Sequence, residues 1–146
     1  ENYLDLLEKV FIIYKVRGFS RNLRKEVTKS NRWYFYDNGI RNAIIRNFNK
    51  LDFRQDTGEL WENYLMSERM KYTAYTKMLV NRYFWRTYDQ QEIDLVEEDG
   101  GMLRAYEFKW NIKKKAKVPG AWSKAYPEAS FEPINRDNYL EFITPK

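Results

Sequence analysis

The spacing of apolar residues in the first fifty positions predicts a helix, two strands and a second helix. Residues 3–10 carry apolar side chains at helical spacing, and residues 11–16 form a β-branched and aromatic run that is typical of a strand. A second strand is predicted near residues 32–36. The helix that follows extends from about Asp37, a residue type that caps helix N-termini, to Phe48.

The pattern changes at a polar, turn-rich segment, residues 51–58, where we place a domain boundary. Beyond it the sequence predicts the element order αβββαβ, assigned to a domain at residues 55–146. The pattern before it is compatible with a winged-helix-like segment at residues 1–54, so the predicted fold class is α/β. The elements predicted after the boundary are a helix at 58–72, strands at 78–88, 92–97 and 102–110, a helix opened by Pro119 and Gly120, and a strand within 130–143.

The composition excludes several classes of chemistry. The 146 residues, 43% of them hydrophobic, suffice for one globular domain with a packed core. Cysteine and histidine are both absent, which excludes disulfides, thiolate nucleophiles, imidazole bases and Cys/His zinc sites. Any metal would have oxygen ligands, which favours magnesium, manganese or calcium. The glycines are too scattered for a P-loop or a dinucleotide fingerprint.

The sequence predicts a cytoplasmic protein without a membrane partner. No apolar run approaches the roughly 18 residues needed to span a bilayer, and no signal peptide precedes the first helix. The chain begins without an initiator Met and already in a helical pattern. We therefore expect it to belong to a longer protein.

Positive charge is concentrated in the first third of the chain. The net charge is +5, and the segment from Arg17 to Lys50 has nine Lys or Arg residues against two acids. Such a region fits a phosphate backbone or an acidic partner, and Arg21 and Arg24 within it are candidate nucleic-acid-binding residues. A solvated polar surface is the alternative.

Three charged residues occupy predicted strands where a core would prefer apolar ones. Glu107 and Lys109 are two apart and project from the same face of one strand. A turn at residues 99–100 would pair residue 94 with residue 105 and bring Asp94 to that face as a diagonal neighbour of Glu107. Two carboxylates on one face repel each other unless a cation lies between them.

A divalent ion would satisfy both carboxylates and present a water molecule to a phosphodiester. Lys109 could orient that water or stabilise the charge that builds on phosphorus. The pattern therefore predicts phosphodiester hydrolysis without histidine. Ordinary surface charges are the alternative explanation.

At these residues the sequence resembles the PD-(D/E)XK nuclease superfamily. Asp94 is followed thirteen residues later by Glu107, Phe108 and Lys109, as in the core motif of that superfamily, although Ile93 stands where the motif has Pro. The resemblance implies a restriction-endonuclease-like αβββαβ core, the element order predicted above. It also implies that a glutamate of the first core helix joins the metal site.

Glu62 matches that helix position, so the metal ligands implied are Glu62, Asp94 and Glu107, with Mg²⁺ or Mn²⁺ as the cofactor. Glu59 is a rival for the helix position, but a capping box at the helix start is a sufficient structural reason for it. Glu92 would face Glu107 across the hairpin and could assist, or could be a plain surface acid.

A wider resemblance covers nearly the whole chain. The segments at residues 2–16, 32–45, 58–68, 83–96 and 105–110 follow one another as in the domain of unknown function found C-terminal to AAA-type ATPases in bacteria and archaea. The resemblance implies an upstream P-loop ATPase domain in the same full-length chain. It also implies a winged-helix-like connection into a nuclease-like domain.

A lysine-rich loop directly follows the motif and could meet a nucleic-acid backbone near the scissile phosphate, although loop lysines are often only solvated. Its candidate residues are Lys113, Lys114, Lys115 and Lys117. The aromatic residues of the strands between 83 and 110 could stack on bases, but their alternation favours a core role.

Three functions follow from these patterns. The first is magnesium-dependent hydrolysis of DNA, with catalytic residues Glu62, Asp94, Glu107 and Lys109. The second is a non-catalytic module that binds DNA or a protein and regulates the attached ATPase. The third is a structural oligomerisation domain with neither metal nor DNA affinity.

Overall fold

The computed structural model describes residues 3–21, 26–27 and 29–145 as a mixed α/β fold. Within these ranges a six-stranded mixed sheet is accompanied by five α-helices, which confirms the α/β class. The helices are α1 (Tyr3–Lys9), α2 (Asn38–Ile44), α3 (Thr57–Tyr75), α4 (Gly120–Ala125) and α5 (Tyr139–Ile143), with a 3₁₀ turn at Leu51–Phe53. The strands are β1 (Ile13–Gly18), β2 (Asn31–Phe35), β3 (Asn81–Arg86), β4 (Glu92–Asp99), β5 (Met102–Phe108) and β6 (Ser130–Ile134).

The strands lie in the order β2-β1-β3-β4-β5-β6. The pairs β1/β2, β3/β4 and β4/β5 are antiparallel, whereas β1/β3 and β5/β6 are parallel. Strand β1 joins β3 where Arg17 pairs with Tyr83 and Gly18 pairs with Phe84. Strands from both sides of the boundary predicted at residues 51–58 therefore share one sheet.

The β4–β5 hairpin turns at Gly100 and Gly101, one residue later than predicted. Both glycines have positive φ, +56° and +88°, as a two-residue type I′ turn requires. Asp99 pairs with Met102, and the ladder continues to the pair Leu95 and Tyr106. The pairing of residue 94 with residue 105 was therefore wrong by two residues. A β-bulge in β4, opposite residues 83–85 of β3, interrupts the side-chain alternation next to Asp94, so a shared face of Asp94 and Glu107 does not follow from the register.

Apolar side chains bury both faces of the sheet. On one face, Trp61 and Leu65 of α3 and Phe142 of α5 pack against Phe84 and Phe108. A second cluster on Trp85, Ile93 and Val96 includes Trp122 of α4. The core role predicted for the strand aromatics is confirmed at four positions that are at most 7% exposed: Phe84, Trp85, Tyr106 and Phe108.

Two helix features differ from expectation, and one agrees. Asp37 caps α2 as predicted and accepts a hydrogen bond from the Gly39 N–H at 2.5 Å. Asp56 is the N-cap residue of α3, but its carboxylate makes no capping bond and binds arginines instead. The predicted final strand divides into β6 and the short helix α5. No helix in the described ranges is long and apolar enough to cross a bilayer.

Candidate active site

The hairpin and helix α3 bring three of the predicted carboxylates together. Asp94 lies near the start of β4 and Glu107 lies near the end of β5, and the Asp94 carboxylate accepts the backbone N–H of Phe108, the residue after Glu107, at 2.8 Å. Glu62 reaches the same region from α3, the helix that packs on the sheet face formed by Phe84 and Phe108. Lys109 follows β5 directly, and its backbone N–H donates to the carbonyl of Ile134 in β6 at 2.9 Å.

A guanidinium lies among these carboxylates. Nη1 of Arg32 is 3.4 Å from Glu62 Oε1 and 3.4 Å from Asp94 Oδ1. Nη2 of the same side chain is 2.8 Å from Glu92 Oε2. Glu92 thus pairs with Arg32, rather than standing opposite Glu107 as predicted. Tyr34, two residues along β2, donates its hydroxyl hydrogen to Glu62 Oε1 at 2.7 Å.

Glu107 and Lys109, the other two members of this acidic cluster, pair with each other. Lys109 Nζ lies 2.5 Å from Glu107 Oε1. The second oxygen of Glu107, Oε2, is buried and has no hydrogen-bond partner among the described residues. Asp94 is better satisfied, because its Oδ2 accepts the Phe108 N–H at 2.8 Å.

The carboxylates of the cluster resist ionisation. Burial, reinforced by the charge of Asp94, raises the pKa of Glu62 to about 7. Burial also raises the pKa of Asp94, against the opposing effects of the Phe108 N–H and Arg32. The pKa of Glu107 rises through burial and the charge of Asp94, and Lys109 opposes this. All three shifts arise first from burial, which disfavours the charged form of each carboxyl group.

The ligand atoms offered by this cluster are of the type that a hard divalent cation prefers. All of its ligand atoms are carboxylate oxygens, and Glu107 Oε2 is a buried acceptor that lacks a partner. In the present arrangement no three acidic side chains of residues 3–21, 26–27 and 29–145 are placed to hold an ion together. The guanidinium of Arg32 stands between Glu62 and Asp94 in this arrangement.

A shallow cleft of about 210 Å³ opens beside Arg32 and Glu62. It is smaller than the roughly 300–1,000 Å³ pockets that enclose small molecules. The cleft is lined by Arg32, Trp33, Tyr34, Phe35, Arg41, Glu59, Glu62 and Asn63.

The predicted nucleic-acid-binding residues lie in two places. Lys113, Lys114, Lys115 and Lys117 are exposed on the loop that begins beside Lys109. Arg21 lies at the opposite end of the β4–β5 hairpin, where its Nη2 is 3.3 Å from the Gly101 carbonyl oxygen. Arg24 falls outside the described residues.

Arg32 and Tyr34 are site residues that the sequence analysis missed. Both were assigned to a strand, and Arg32 was counted only as part of the basic first third. Their spacing of two, which aims both side chains at one face, was the available signal. Glu59, the rival of Glu62, is exposed and lines the cleft without contacting Asp94 or Arg32 in the described structure.

Comparison with known proteins identifies the family of the chain, but the matching proteins and families have no described activity. Uncharacterized proteins of Mycobacterium bovis and Mycobacterium tuberculosis are each 24% identical to the chain over 109 residues, 73% of this chain and 24% of the relative. The chain therefore spans about a quarter of the length of these curated relatives. No solved structure gives a significant match.

Two family models match successive parts of the chain. Residues 1–51 are similar to the family described as Domain of unknown function (DUF8612). A second model covers residues 57–138, which include Glu62, Asp94 and Glu107. By this match over more than half of its length, the chain belongs to the family described as Domain of unknown function (DUF4143).

Proposed function

We propose that the chain is a nuclease-like module that hydrolyses phosphodiesters in DNA with Mg²⁺ or Mn²⁺. Glu62, Asp94 and Glu107 would hold the metal, and Lys109 would act beside it. The observation that carries the proposal is the convergence of three partly or fully buried carboxylates, from α3 and from the β4–β5 hairpin, on cationic groups. Burying acids that repel each other lowers the stability of the fold. Their presence together therefore favours a functional role over a structural one.

The metal would supply charge neutralisation at the phosphoryl oxygens and a more acidic water molecule. Lys109, already bonded to Glu107, can donate to a phosphoryl oxygen that gains negative charge. In the reaction a water oxygen bonds to phosphorus and the bond to one sugar oxygen breaks, with its electron pair remaining on that oxygen. The attacking water loses a proton, and the departing oxygen gains one from solvent.

The fold proposed for residues 55–146 is a restriction-endonuclease-like core. Its support is the element order α3-β3-β4-β5-α4-β6, which reads αβββαβ. For residues 1–54 we propose a winged-helix-like segment, supported by the order α1-β1-β2-α2. An ATPase domain elsewhere in the full-length chain is a proposed partner, and such a protein would act in the cytoplasm.

DNA is the nucleic acid proposed. The exposed lysines at 113, 114, 115 and 117 begin four residues after Lys109, so a strand lying across them would pass the acidic cluster. Their charges would contact phosphates without reading base sequence.

Arg32 favours a second candidate function, in which the module binds DNA or a protein without catalysis. The guanidinium bonds to Glu62, Asp94 and Glu92 and supplies each of them with a cationic partner without a metal. Carboxylates held by an arginine in this way can serve a purely structural role, with no metal bound. The module would then regulate the remainder of its protein by binding alone.

Plasmid nicking separates the two functions. Supercoiled DNA is incubated with the protein and Mg²⁺ or Mn²⁺, and the relaxed and linear forms are quantified. We expect metal-dependent cleavage by the wild type and background cleavage by Asp94→Asn. Glu98→Gln, which removes the same charge from the same strand and affects only the bond to Asn81, serves as the matched control.

Cleavage by the wild type and Glu98→Gln, but not by Asp94→Asn, would support hydrolysis at the cluster. Absence of cleavage by the wild type with either metal, while the DNA is still bound, would favour the non-catalytic module. Equal cleavage by all three proteins would reject the assigned site.

A further inference from the structure

Arg32 reaches the acidic cluster from the far edge of the sheet. It belongs to the edge strand β2, and strands β1 and β3 lie between β2 and β4. Its guanidinium carbon lies 4.8 Å from the centre of the Phe84 ring, a buried residue of β3. The ring supports the cation from one side, and the side chain is only 23% exposed. Arg32 is therefore held across the sheet by more than surface charge attraction.

The cluster contains more negative than positive groups. Four carboxylates, Glu62, Glu92, Asp94 and Glu107, are faced by the cations Arg32 and Lys109. If all four are ionised, two negative charges remain without a paired cation. In that fully ionised state the two cationic side chains balance only half of the negative charge.

We propose that Arg32 is the resident cation of this cluster and that a divalent metal binds there only when its guanidinium withdraws. This inference rests on the metal site of the proposed function and adds a control on access to it. The same two oxygens, Glu62 Oε1 and Asp94 Oδ1, face Nη1 of Arg32. Arg32 therefore sets the metal affinity and links metal binding to the edge strand β2.

Competition follows from distance and charge. Mg²⁺ takes carboxylate oxygens at about 2.0–2.1 Å, so Glu62 and Asp94 would have to close on the space beside Nη1. A guanidinium left in contact with both oxygens would face a divalent cation at a few ångströms, where like charges repel strongly. Withdrawal requires Arg32 to leave the Phe84 ring and its three carboxylate partners, and within the described residues no strand lies outside β2 to hold it in place.

Calorimetric titration with MnCl₂ tests the proposal directly. Arg32→Met retains the apolar stem and removes the competing charge, so we expect Mn²⁺ affinity at least about fivefold above that of the wild type. Arg104→Met is the matched control, because Arg104 pairs with Asp99 outside the cluster and its loss changes net charge equally. Its affinity should stay within about twofold of the wild type. Affinity of Arg32→Met that is equal to or below the wild-type value, or undetectable in both, overturns the proposal.

A second measurement uses the wild type and does not depend on how the variant folds. Phenylglyoxal modification of arginines, read by peptide mass spectrometry, should increase severalfold at Arg32 when Mn²⁺ is added and stay constant at Arg104. Unchanged or reduced modification of Arg32 contradicts the proposal.

The Mn²⁺ titration and the plasmid cleavage assay can fail independently, so the Arg32 inference and the proposed function are tested separately. Tighter Mn²⁺ binding by Arg32→Met with no plasmid cleavage leaves the Arg32 inference standing and rejects hydrolysis. Cleavage that depends on Asp94, with no gain in Mn²⁺ affinity from Arg32→Met, retains hydrolysis and rejects the inference.

Discussion

Arg69 and Glu97 form a two-point ion pair in the interior of the protein. Nε of Arg69 lies 2.8 Å from Glu97 Oε1, and Nη2 lies 2.7 Å from Oε2. The Glu97 side chain is fully buried, and Nη1 of Arg69 also donates to the Phe142 carbonyl at 2.6 Å. One arginine of α3 thus connects β4, which carries Asp94, with helix α5.

Removing one partner of this pair should destabilise the fold strongly. Arg69→Met leaves the Glu97 carboxylate buried without its cation, and we expect the free energy of unfolding to fall by about 3–5 kcal/mol. Chemical denaturation measures the change. Lys71→Met, which breaks an exposed pair with Glu68 on the same helix, should lower it by no more than about 1 kcal/mol. Similar small losses from both variants would contradict the role assigned to Arg69.

Asp56 stabilises the connection between α2 and α3 in a pH-dependent way. Its Oδ2 lies 2.7 Å from Arg41 Nη1, and its Oδ1 lies 2.8 Å from Arg54 Nε. The hydrogen bonds from Arg54 and Arg41 lower the pKa of this carboxyl well below its usual range. A lowered pKa gives stability that is present above the unfolded-state pKa of about 3.9 and is lost as pH falls toward the folded-state value.

Asp56→Asn should therefore be less stable than the wild type at pH 7. The difference should shrink as pH falls below about 4, because the wild type then loses the advantage that the variant lacks. Thermal unfolding followed from pH 7 to pH 2 measures both curves. A difference that stays constant over that range would show that the charge of Asp56 is not its source.

The lysine loop should determine the salt dependence of DNA binding. Each phosphate contact contributes about 0.9 to the slope of log K against log salt concentration for duplex DNA. Lys114→Gln/Lys115→Gln should reduce that slope by about 2 in fluorescence anisotropy titrations. Lys77→Gln/Lys124→Gln removes two exposed lysines elsewhere and should leave it unchanged. Equal slopes for both double variants would place the DNA contacts away from the loop.

Replacing Lys109 should change the rate of DNA cleavage more than it changes the affinity for metal. If its ammonium donates to the phosphoryl group in the transition state, Lys109→Met should lower the cleavage rate about 10²–10³-fold. Mn²⁺ affinity should fall little or rise, because a cation beside Glu107 is lost. Loss of Mn²⁺ binding together with cleavage would instead assign Lys109 to holding the carboxylates in place.

Local patterns in the sequence were sufficient for much of the fold. Helix α3 and strands β3 to β5 lie where the sequence predicted a helix and three strands, and Asp37 caps α2 as its residue type predicts. The turn between β4 and β5 was misplaced by one residue, although two adjacent glycines are the signal for a type I′ turn. Helix α5 has five residues, too few for helical periodicity to distinguish it from a strand.

The site was only partly predictable, because its members come from distant parts of the chain. Asp94 and Glu107 belong to one hairpin, so their proximity could be predicted from a local turn, whereas the bulge in β4 that interrupts the alternation could not. The position of Arg32 depends on β2 lying three places from β4 in the sheet, which no local pattern encodes. Its contact with Asp94 joins residues 62 positions apart. The sequence thus indicated a demand for positive charge but did not reveal that a side chain meets part of it.

A crystal of the protein soaked in MnCl₂ tests the central claim most directly, since manganese is located by its anomalous scattering. We predict an anomalous peak bound by Asp94 and Glu107, with the Arg32 guanidinium withdrawn from both Glu62 and Asp94. A crystal that shows no peak there, with Arg32 still bonded to Glu62, Asp94 and Glu92, would contradict a metal-dependent active site.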